Sequence, residues 1–217
     1  MKIFNYLGNY FSNRETFQEI IVIPVFATLM AIFLGLLLLI VSGSSNEIAL
    51  KALIALFNGS FGSLSAITET LTAATPLIFA ALGIAVGFRA GLFNIGAEGQ
   101  IILGGMAAVI VGFSFQLPIF IHLVLILLAG ALFGALYAFI SGWLKATTGA
   151  HEVITTIMLN LIAYRLLDFF LRIPSIQKEG RNDPISKSIL DTAELPRILH
   201  FLDPNLRVHM GLSLIHI

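Results

Sequence analysis

Cysteine is absent from the 217-residue chain, and charged side chains make up only 11% of it. Without cysteine the chain cannot form disulfides, iron–sulfur ligation or a thiolate zinc site. Soluble domains have about a quarter of their residues charged, so this scarcity excludes a water-soluble surface. The formal net charge is zero, which gives no basic excess for binding nucleic acid. With 58% hydrophobic residues and a mean hydropathy of +0.96, the chain has the composition of an integral membrane protein.

Five apolar segments are long enough, or nearly so, to cross a bilayer as helices, which takes about 20 residues. They are residues 20–41, 71–88, 100–113, 119–144 and 152–171. The N-terminal residues lack the order of a signal peptide, so the first segment is expected to stay as a membrane helix. The sequence therefore predicts an all-α, polytopic transmembrane helix bundle with about five spans.

The regions outside these spans also carry local signals. Ser12 with Glu15, and Ser44 with Glu47, have the spacing of a helix capping box. The apolar run at residues 46–58 is too short to span, and predicts either a short interfacial helix or a loop helix packed on the bundle. Residues 172–205 are polar, contain four prolines and are predicted to form an extramembrane loop.

Basic residues favour a cytoplasmic N-terminus, because Lys and Arg are enriched in cytoplasmic loops. With that orientation the cytoplasmic side receives Lys2, Arg14, Arg89 and Lys145. The loop at residues 172–205 then faces outward, although it contains Lys178, Arg181, Lys187 and Arg197. On the fifth span, Arg165 and Asp168 have the spacing of an i, i+3 ion pair.

Small residues recur at every fourth position in two of the predicted helices, and such ridges let helices approach closely in lipid. The positions are Gly83, Gly87 and Gly91 in one helix, and Gly130, Gly134, Ala138 and Gly142 in the other. This pattern predicts tight helix packing and gives no information about a substrate.

Residues 91–100, "GLFNIGAEGQ", interrupt the apolar pattern between the second and third spans. The segment contains Gly91, Gly96 and Gly99 together with Asn94, Glu98 and Gln100. A phosphate-binding loop needs Lys and then Ser or Thr after its last glycine, and here Gln100 and Ile101 follow. No ATP site or other cofactor site is therefore expected in this chain.

The "HEVIT" sequence that starts at His151 resembles the beginning of a zinc-protease helix. That helix needs a second histidine four positions after the first, and this position is Thr155. No metal site and no enzyme signature follow from the sequence. A membrane enzyme that uses Glu98, His151 and Glu152 would need these side chains to converge on one cavity.

Two interpretations of residues 91–100 stay open on these grounds. In the first, the segment is a broken helix at a transport site, where Gly91, Gly96 and Gly99 provide backbone freedom for polar contacts with a substrate. In the second, it is a cytoplasmic turn, and Glu98 stabilises the start of the third helix through its dipole. Asn160, inside the fifth span, has two similar alternatives: an interhelical hydrogen bond or a contact with substrate.

Two stretches, "TPLIFAALGIAVGFRAGLFNIGAEGQIILGG" and "GAHEVITTIMLNLIAY", closely resemble permease subunits of bacterial ABC importers for nucleosides. These permeases belong to a branch that also contains simple-sugar permeases, the ribose and galactose type, which is the alternative function. The resemblance implies a translocation pathway through the inner membrane, with Asn94, Glu98, Gln100 and Asn160 beside it. It also implies a second similar permease, separate ATPase subunits that bind ATP, and an extracellular or periplasmic substrate-binding protein.

Members of this family are considerably longer than the present chain. The resemblance therefore implies that residues 1–211 are the N-terminal half of a permease domain. The final six residues, 212–217 ("LSLIHI"), do not resemble the next helix of the family and are expected to be a non-native tail.

Overall fold

The computed structural model of the chain describes residues 17–199 and 201–211. Within these ranges there are six α-helices and no β-strand; the only extended pairings are isolated bridges at Gln177–Ser186 and Arg197–His209. The helices are α1 (Ile23–Val41), α2 (Asn46–Phe61), α3 (Leu64–Arg89), α4 (Ala97–Ser114), α5 (Ile119–Thr148) and α6 (Glu152–Leu171). A π-helical stretch, Gln18–Val22, leads into α1, and a 3-10 turn covers Asp191–Ala193.

Five of these helices, all except α2, are long and apolar enough to cross a membrane. The predicted all-α bundle with about five spans is thus confirmed, and α6 has the predicted bounds. Helices α3, α4 and α5 extend further than predicted, by up to two turns. In the added turn of α5, the hydroxyls of Thr147 and Thr148 each donate to the carbonyl four residues earlier. This bond satisfies the hydroxyl within the helix.

The first compact unit of the chain ends at Ile67 and contains α1 and α2. Helix α2 packs beside α1, with Leu53 and Leu56 facing an apolar groove that Leu36 also lines. The predicted cap at Ser44 is wrong by one residue. Ser45 has the extended backbone of an N-cap and its hydroxyl accepts from the N–H of Ile48, while Glu47 pairs with Lys51.

Some sequence predictions fall outside the described residues. These are the capping pair Ser12 and Glu15, the basic residues Lys2 and Arg14, and the proposed non-native tail at residues 212–217.

The second compact unit, from Thr68 onward, centres on α4, which packs against both α5 and α6. Its core consists of Leu103 of α4, Tyr137 of α5, and Leu159 and Ala163 of α6. The Tyr137 hydroxyl donates to the carbonyl of Leu159 at 2.7 Å, so this buried polar group is satisfied across two helices. Gly104 and Gly130 bring α4 and α5 so close that a Cβ on Gly104 would lie 2.7 Å from the Gly130 carbonyl oxygen.

The polar segment after α6 folds back onto the ends of α4 and α5. The N–H of Leu190 donates to the carbonyl of Gly112, and Thr192 bonds to the buried His122 of α5. The expected Arg165–Asp168 pair does not form: Asp168 pairs with Arg172 at 3.0 Å, one full turn away. Further along, the Arg181 guanidinium holds the pKa of Asp183 below its usual value.

Candidate functional site

The interruption between α3 and α4 is shorter than the sequence indicated. Helix α3 ends at Arg89 and α4 begins at Ala97, so only residues 90–96 are irregular. Gly91 has a φ of +73°, a conformation that favours glycine, and lets the chain turn as α3 ends. Glu98, Gly99 and Gln100 belong to the first turn of α4, so the break predicted near residues 91–100 is present but ends at Gly96.

Gly96 and Gly99 are needed for close packing and not for backbone freedom. Neither has a positive φ. A Cβ on Gly96 would lie 3.1 Å from the Thr156 Cβ, and one on Gly99 would lie 3.0 Å from the Asn160 Oδ1 and 3.1 Å from the Tyr137 ring. Their absent side chains allow α6 and α5 to approach the start of α4, which corrects the role that the sequence assigned to them.

The Asn160 side chain of α6 forms hydrogen bonds to the connection between α3 and α4 and to the first turn of α4. Its Oδ1 accepts from the backbone N–H of Gly99 at 2.9 Å, and its Nδ2 donates to the carbonyl of Ile95 at 3.0 Å. Both ends of the carboxamide are therefore used by backbone groups that would otherwise lack a partner near the helix start. This position favours the interhelical hydrogen bond over a direct contact with substrate.

Asn94 stabilises the turn before α4 from within. Its Oδ1 accepts from the N–H of Gly96 at 2.8 Å, which forms an Asx turn. The same carboxamide pairs with that of Gln100: Gln100 Nε2 donates to Asn94 Oδ1 at 3.2 Å, and Asn94 Nδ2 donates to Gln100 Oε1 at 3.4 Å. We refer to these two side chains as the amide pair.

Glu98 lies on a different side of α4 from the amide pair. The Tyr164 hydroxyl of α6 donates to Glu98 Oε1, so the carboxylate has a hydrogen-bond partner on the neighbouring helix. Helical geometry explains the separation, because residues two positions apart point about 200° from each other. The four predicted pathway residues thus form two groups. Asn94 and Gln100 lie together at one face of α4, whereas Glu98 lies at the face that packs against α6, the helix that contains Asn160.

The amide pair lines a groove of about 560 Å³ between α3, α4 and α5. The remaining lining is apolar and mostly small, and Asn94 and Gln100 supply its only polar side chains. Gly83 and Gly105 face open space, since a Cβ on either would meet no atom within 4 Å. A volume in this range, about 300–1,000 Å³, is typical of small-molecule sites.

The charged residues near the other predicted motif do not converge on the groove. Glu152 pairs with Lys145 at 2.5 Å across the turn that joins α5 to α6. His151 is exposed. None of the three residues that a membrane enzyme would use, Glu98, His151 and Glu152, lines the groove. Among the residues that the structure describes, no group of three His, Cys, Asp or Glu side chains is placed to hold a metal ion.

Sequence reasoning missed His122, which is fully buried in α5. Its Nε2 donates to the Val111 carbonyl at 3.2 Å, since a carbonyl can only accept, and in the neutral ring Nδ1 then accepts from Thr192 at 2.8 Å. A histidine within a long apolar helix was a visible signal in the sequence. Its hydrogen-bond partner Thr192, 70 positions later, could not be identified from the sequence.

The structure thus combines five helices long enough to cross a membrane with a groove beside the connection from α3 to α4. A family model described as "Branched-chain amino acid transport system / permease component" matches residues 66–201, and the chain belongs to this family. The family and the five apolar helices together make it a multi-pass membrane protein. No solved structure matches the chain.

Three curated relatives are each 37% identical to the chain over their matched regions. The guanosine ABC transporter permease protein NupP of Bacillus subtilis matches over 88% of this chain and 53% of its own length. The glucose ABC transporter permease protein TsgB13 of Haloferax volcanii matches over 80% of this chain and 44% of its own length. The nucleoside ABC transporter permease protein NupB of Lactococcus lactis matches over 65% of this chain and 38% of its own length. The chain spans about half the length of the curated relatives it matches, and the permease resemblance is confirmed.

Proposed function

We propose that the chain is part of a transmembrane permease subunit of an ATP-binding cassette importer, and that it forms the translocation pathway for nucleosides. The observation that carries this proposal is the groove between α3, α4 and α5, whose walls are apolar except for the amide pair. The names of two relatives, a guanosine permease and a nucleoside permease, support the same substrate class.

The chemistry of the groove favours a nucleobase over a sugar. A base has two apolar faces and a polar edge, so apolar walls and one polar contact suit it. A sugar carries a hydroxyl on almost every carbon, and each hydroxyl that loses water without a new partner costs about 1–3 kcal/mol. Two carboxamides leave most hydroxyls of a hexose without a partner, whereas a nucleoside has fewer hydroxyls, all on its ribose, and presents its base to the apolar walls. The sugar alternative keeps support from the glucose permease among the relatives.

The permease acts with partner proteins in this proposal. Separate ATPase subunits bind ATP and drive the switch between outward- and inward-facing states, a second homologous permease completes the pathway, and a binding protein delivers substrate from outside. The chain lies in the bacterial inner membrane with its N-terminus in the cytoplasm.

The permease itself carries out no chemical reaction in this proposal and needs no cofactor. Glu98 bonds to Tyr164 and Glu152 pairs with Lys145, so each carboxylate has a nearby structural partner. The groove contains neither of them.

Uptake by cells that carry the complete transporter gene cluster tests the substrate class. Labelled guanosine and uridine are compared with labelled ribose and glucose, in a host whose own carriers for these compounds have been deleted. We expect uptake of the nucleosides and not of the sugars. Uptake of sugars alone would replace the proposal by the simple-sugar alternative.

A further inference from the structure

The two hydrogen bonds within the amide pair are longer than most protein hydrogen bonds. Its two bonds measure 3.2 and 3.4 Å, whereas protein N–H···O bonds cluster near about 2.9–3.0 Å. The two carboxamides meet edge to edge, each offering one N–H donor and one carbonyl acceptor. In this arrangement each satisfies the other.

The two members of the pair differ in how firmly they are held. The Asn94 carboxamide is fixed because its Oδ1 also accepts from the Gly96 N–H at 2.8 Å. Within the described chain, the Gln100 carboxamide makes no side-chain hydrogen bond except those to Asn94. Its longer side chain can therefore rotate away and leave the donor–acceptor edge of Asn94 open to the groove.

Every nucleobase has an edge that matches this arrangement. Adenine and cytosine present an amino donor beside a ring-nitrogen acceptor, and guanine and uracil present a ring N–H beside a carbonyl. Asn and Gln side chains form such bidentate pairs with bases, as they do with adenine in DNA. A base that enters in either orientation can match the fixed order of donor and acceptor on Asn94.

The groove also leaves space for a planar ring beside the pair. Gly83 of α3 and Gly105 of α4 line it, and neither would place a Cβ within 4 Å of another atom. Apolar contact with the faces of a ring is compatible with every base. We propose that the amide pair is the base-binding subsite of the pathway, and that it reads the donor–acceptor edge common to all bases, so that the permease step accepts purine and pyrimidine nucleosides alike.

This inference rests on the proposed nucleoside transport, and one substitution tests it separately. Asn94→Asp keeps the oxygen that accepts from Gly96 and replaces the Nδ2 donor by a second acceptor. A carboxylate binds two adjacent donors, which guanine presents at N1 and its 2-amino group, whereas hypoxanthine lacks the amino group. We therefore expect the ratio of guanosine to inosine uptake to rise at least about fivefold, given the discrimination typical of one bidentate pair.

The measurement uses labelled guanosine, inosine, adenosine and uridine in cells with the complete transporter. The binding protein is the same in both strains, so a changed ratio reports on the permease, and a ratio within one strain is independent of permease abundance. In the unsubstituted transporter we expect all four nucleosides to be taken up with similar efficiency. Asn58→Asp is the matched control, because it makes the same chemical change at an exposed position of α2, outside the groove, and should leave the ratio unchanged.

An unchanged guanosine-to-inosine ratio in Asn94→Asp, with uptake retained, would overturn the base-binding subsite and leave nucleoside transport in place. Loss of all uptake in Asn94→Asp, with or without loss of membrane abundance, would mark the pair as structural and also overturn it. If the unsubstituted transporter took up no nucleoside, the proposed function itself would fail.

Discussion

The Oδ1 atom of Asn160 accepts a hydrogen bond from the backbone N–H of Gly99 at 2.9 Å, across 61 positions of sequence. This bond ties the middle of α6 to the first turn of α4. With the second bond, to the Ile95 carbonyl, it fixes the connection that places Asn94 and Gln100 at the groove. The shape of the groove therefore depends on a residue that does not line it.

Asn160→Leu should destabilise the protein, because it removes both bonds and leaves the Gly99 N–H and the Ile95 carbonyl without their partner. Hydrogen bonds in membrane proteins average about 0.6 kcal/mol and reach about 1.7, so we expect a loss of about 1–3 kcal/mol in the free energy of unfolding. Denaturant unfolding of the purified protein in detergent measures it. Asn160→Asp, which keeps the acceptor for Gly99, should lose less, and equal losses would contradict this account.

Gly99→Ala should be harmful although alanine favours helices. The new Cβ would lie 3.0 Å from the Asn160 Oδ1 and 3.1 Å from the Tyr137 ring, and overpacking of this kind costs about 1–3 kcal/mol. Gly105→Ala in the same helix is the matched control, since its Cβ meets nothing within 4 Å. It should be neutral or stabilising by up to about 1 kcal/mol. Thermal unfolding of both variants in detergent makes the comparison, and similar effects at the two positions would show that the close contact is unimportant.

Larger side chains at the open glycines should block the groove without disturbing the fold. We expect Gly83→Leu and Gly105→Leu to reduce nucleoside uptake strongly while the amount of protein in the membrane and its melting temperature stay near those of the unsubstituted protein. Gly142→Leu serves as control, because Gly142 also faces open space but lies outside the groove. Normal uptake in both groove variants would remove the groove from the translocation pathway.

Thr192→Val should loosen the segment after α6 from the bundle. It removes the hydrogen bond to buried His122, and a neutral bond of this type contributes about 1 kcal/mol. Hydrogen exchange should become faster at the Leu190 amide, which donates to Gly112 beside this contact. Thr147→Val, which removes a hydroxyl bonded only within its own helix, should leave that amide unaffected. Unchanged exchange at Leu190 would mean that the segment is anchored by other contacts.

Gly149→Ala isolates a backbone effect at the end of α5. Gly149 has a φ of +70° and would place its Cβ in open space, so only the left-handed conformation opposes a side chain. We expect a loss of about 1–2 kcal/mol in the free energy of unfolding. Gly149→Asn should lose less, since asparagine tolerates this conformation. Denaturant unfolding of the two variants tests the ranking, and equal stability of Gly149→Ala and the unsubstituted protein would refute it.

The sequence predicted the helices well and their polar contacts poorly. Lengths of apolar runs are local properties, so the spans, including α6 with its bounds, followed from composition alone. Ion pairing on one helix depends on side-chain rotamers: Asp168 lies within reach of both Arg165 and Arg172, and the structure pairs it with Arg172. The ridge on α5 does pack against α4 through Gly130 and Gly134, yet Gly83 of the α3 ridge faces the groove.

The sequence by itself determined that this chain is a membrane-spanning helix bundle with a polar, glycine-containing connection near residue 94, because the bilayer requires long apolar runs and tolerates few departures from them. Only the tertiary structure decided that Asn94 meets Gln100, that Glu98 meets Tyr164, and that Asn160 holds the backbone between them. The direction of each side chain depends on where α4 begins and on which helix packs against each of its faces. Both depend on contacts with residues about 60 positions away.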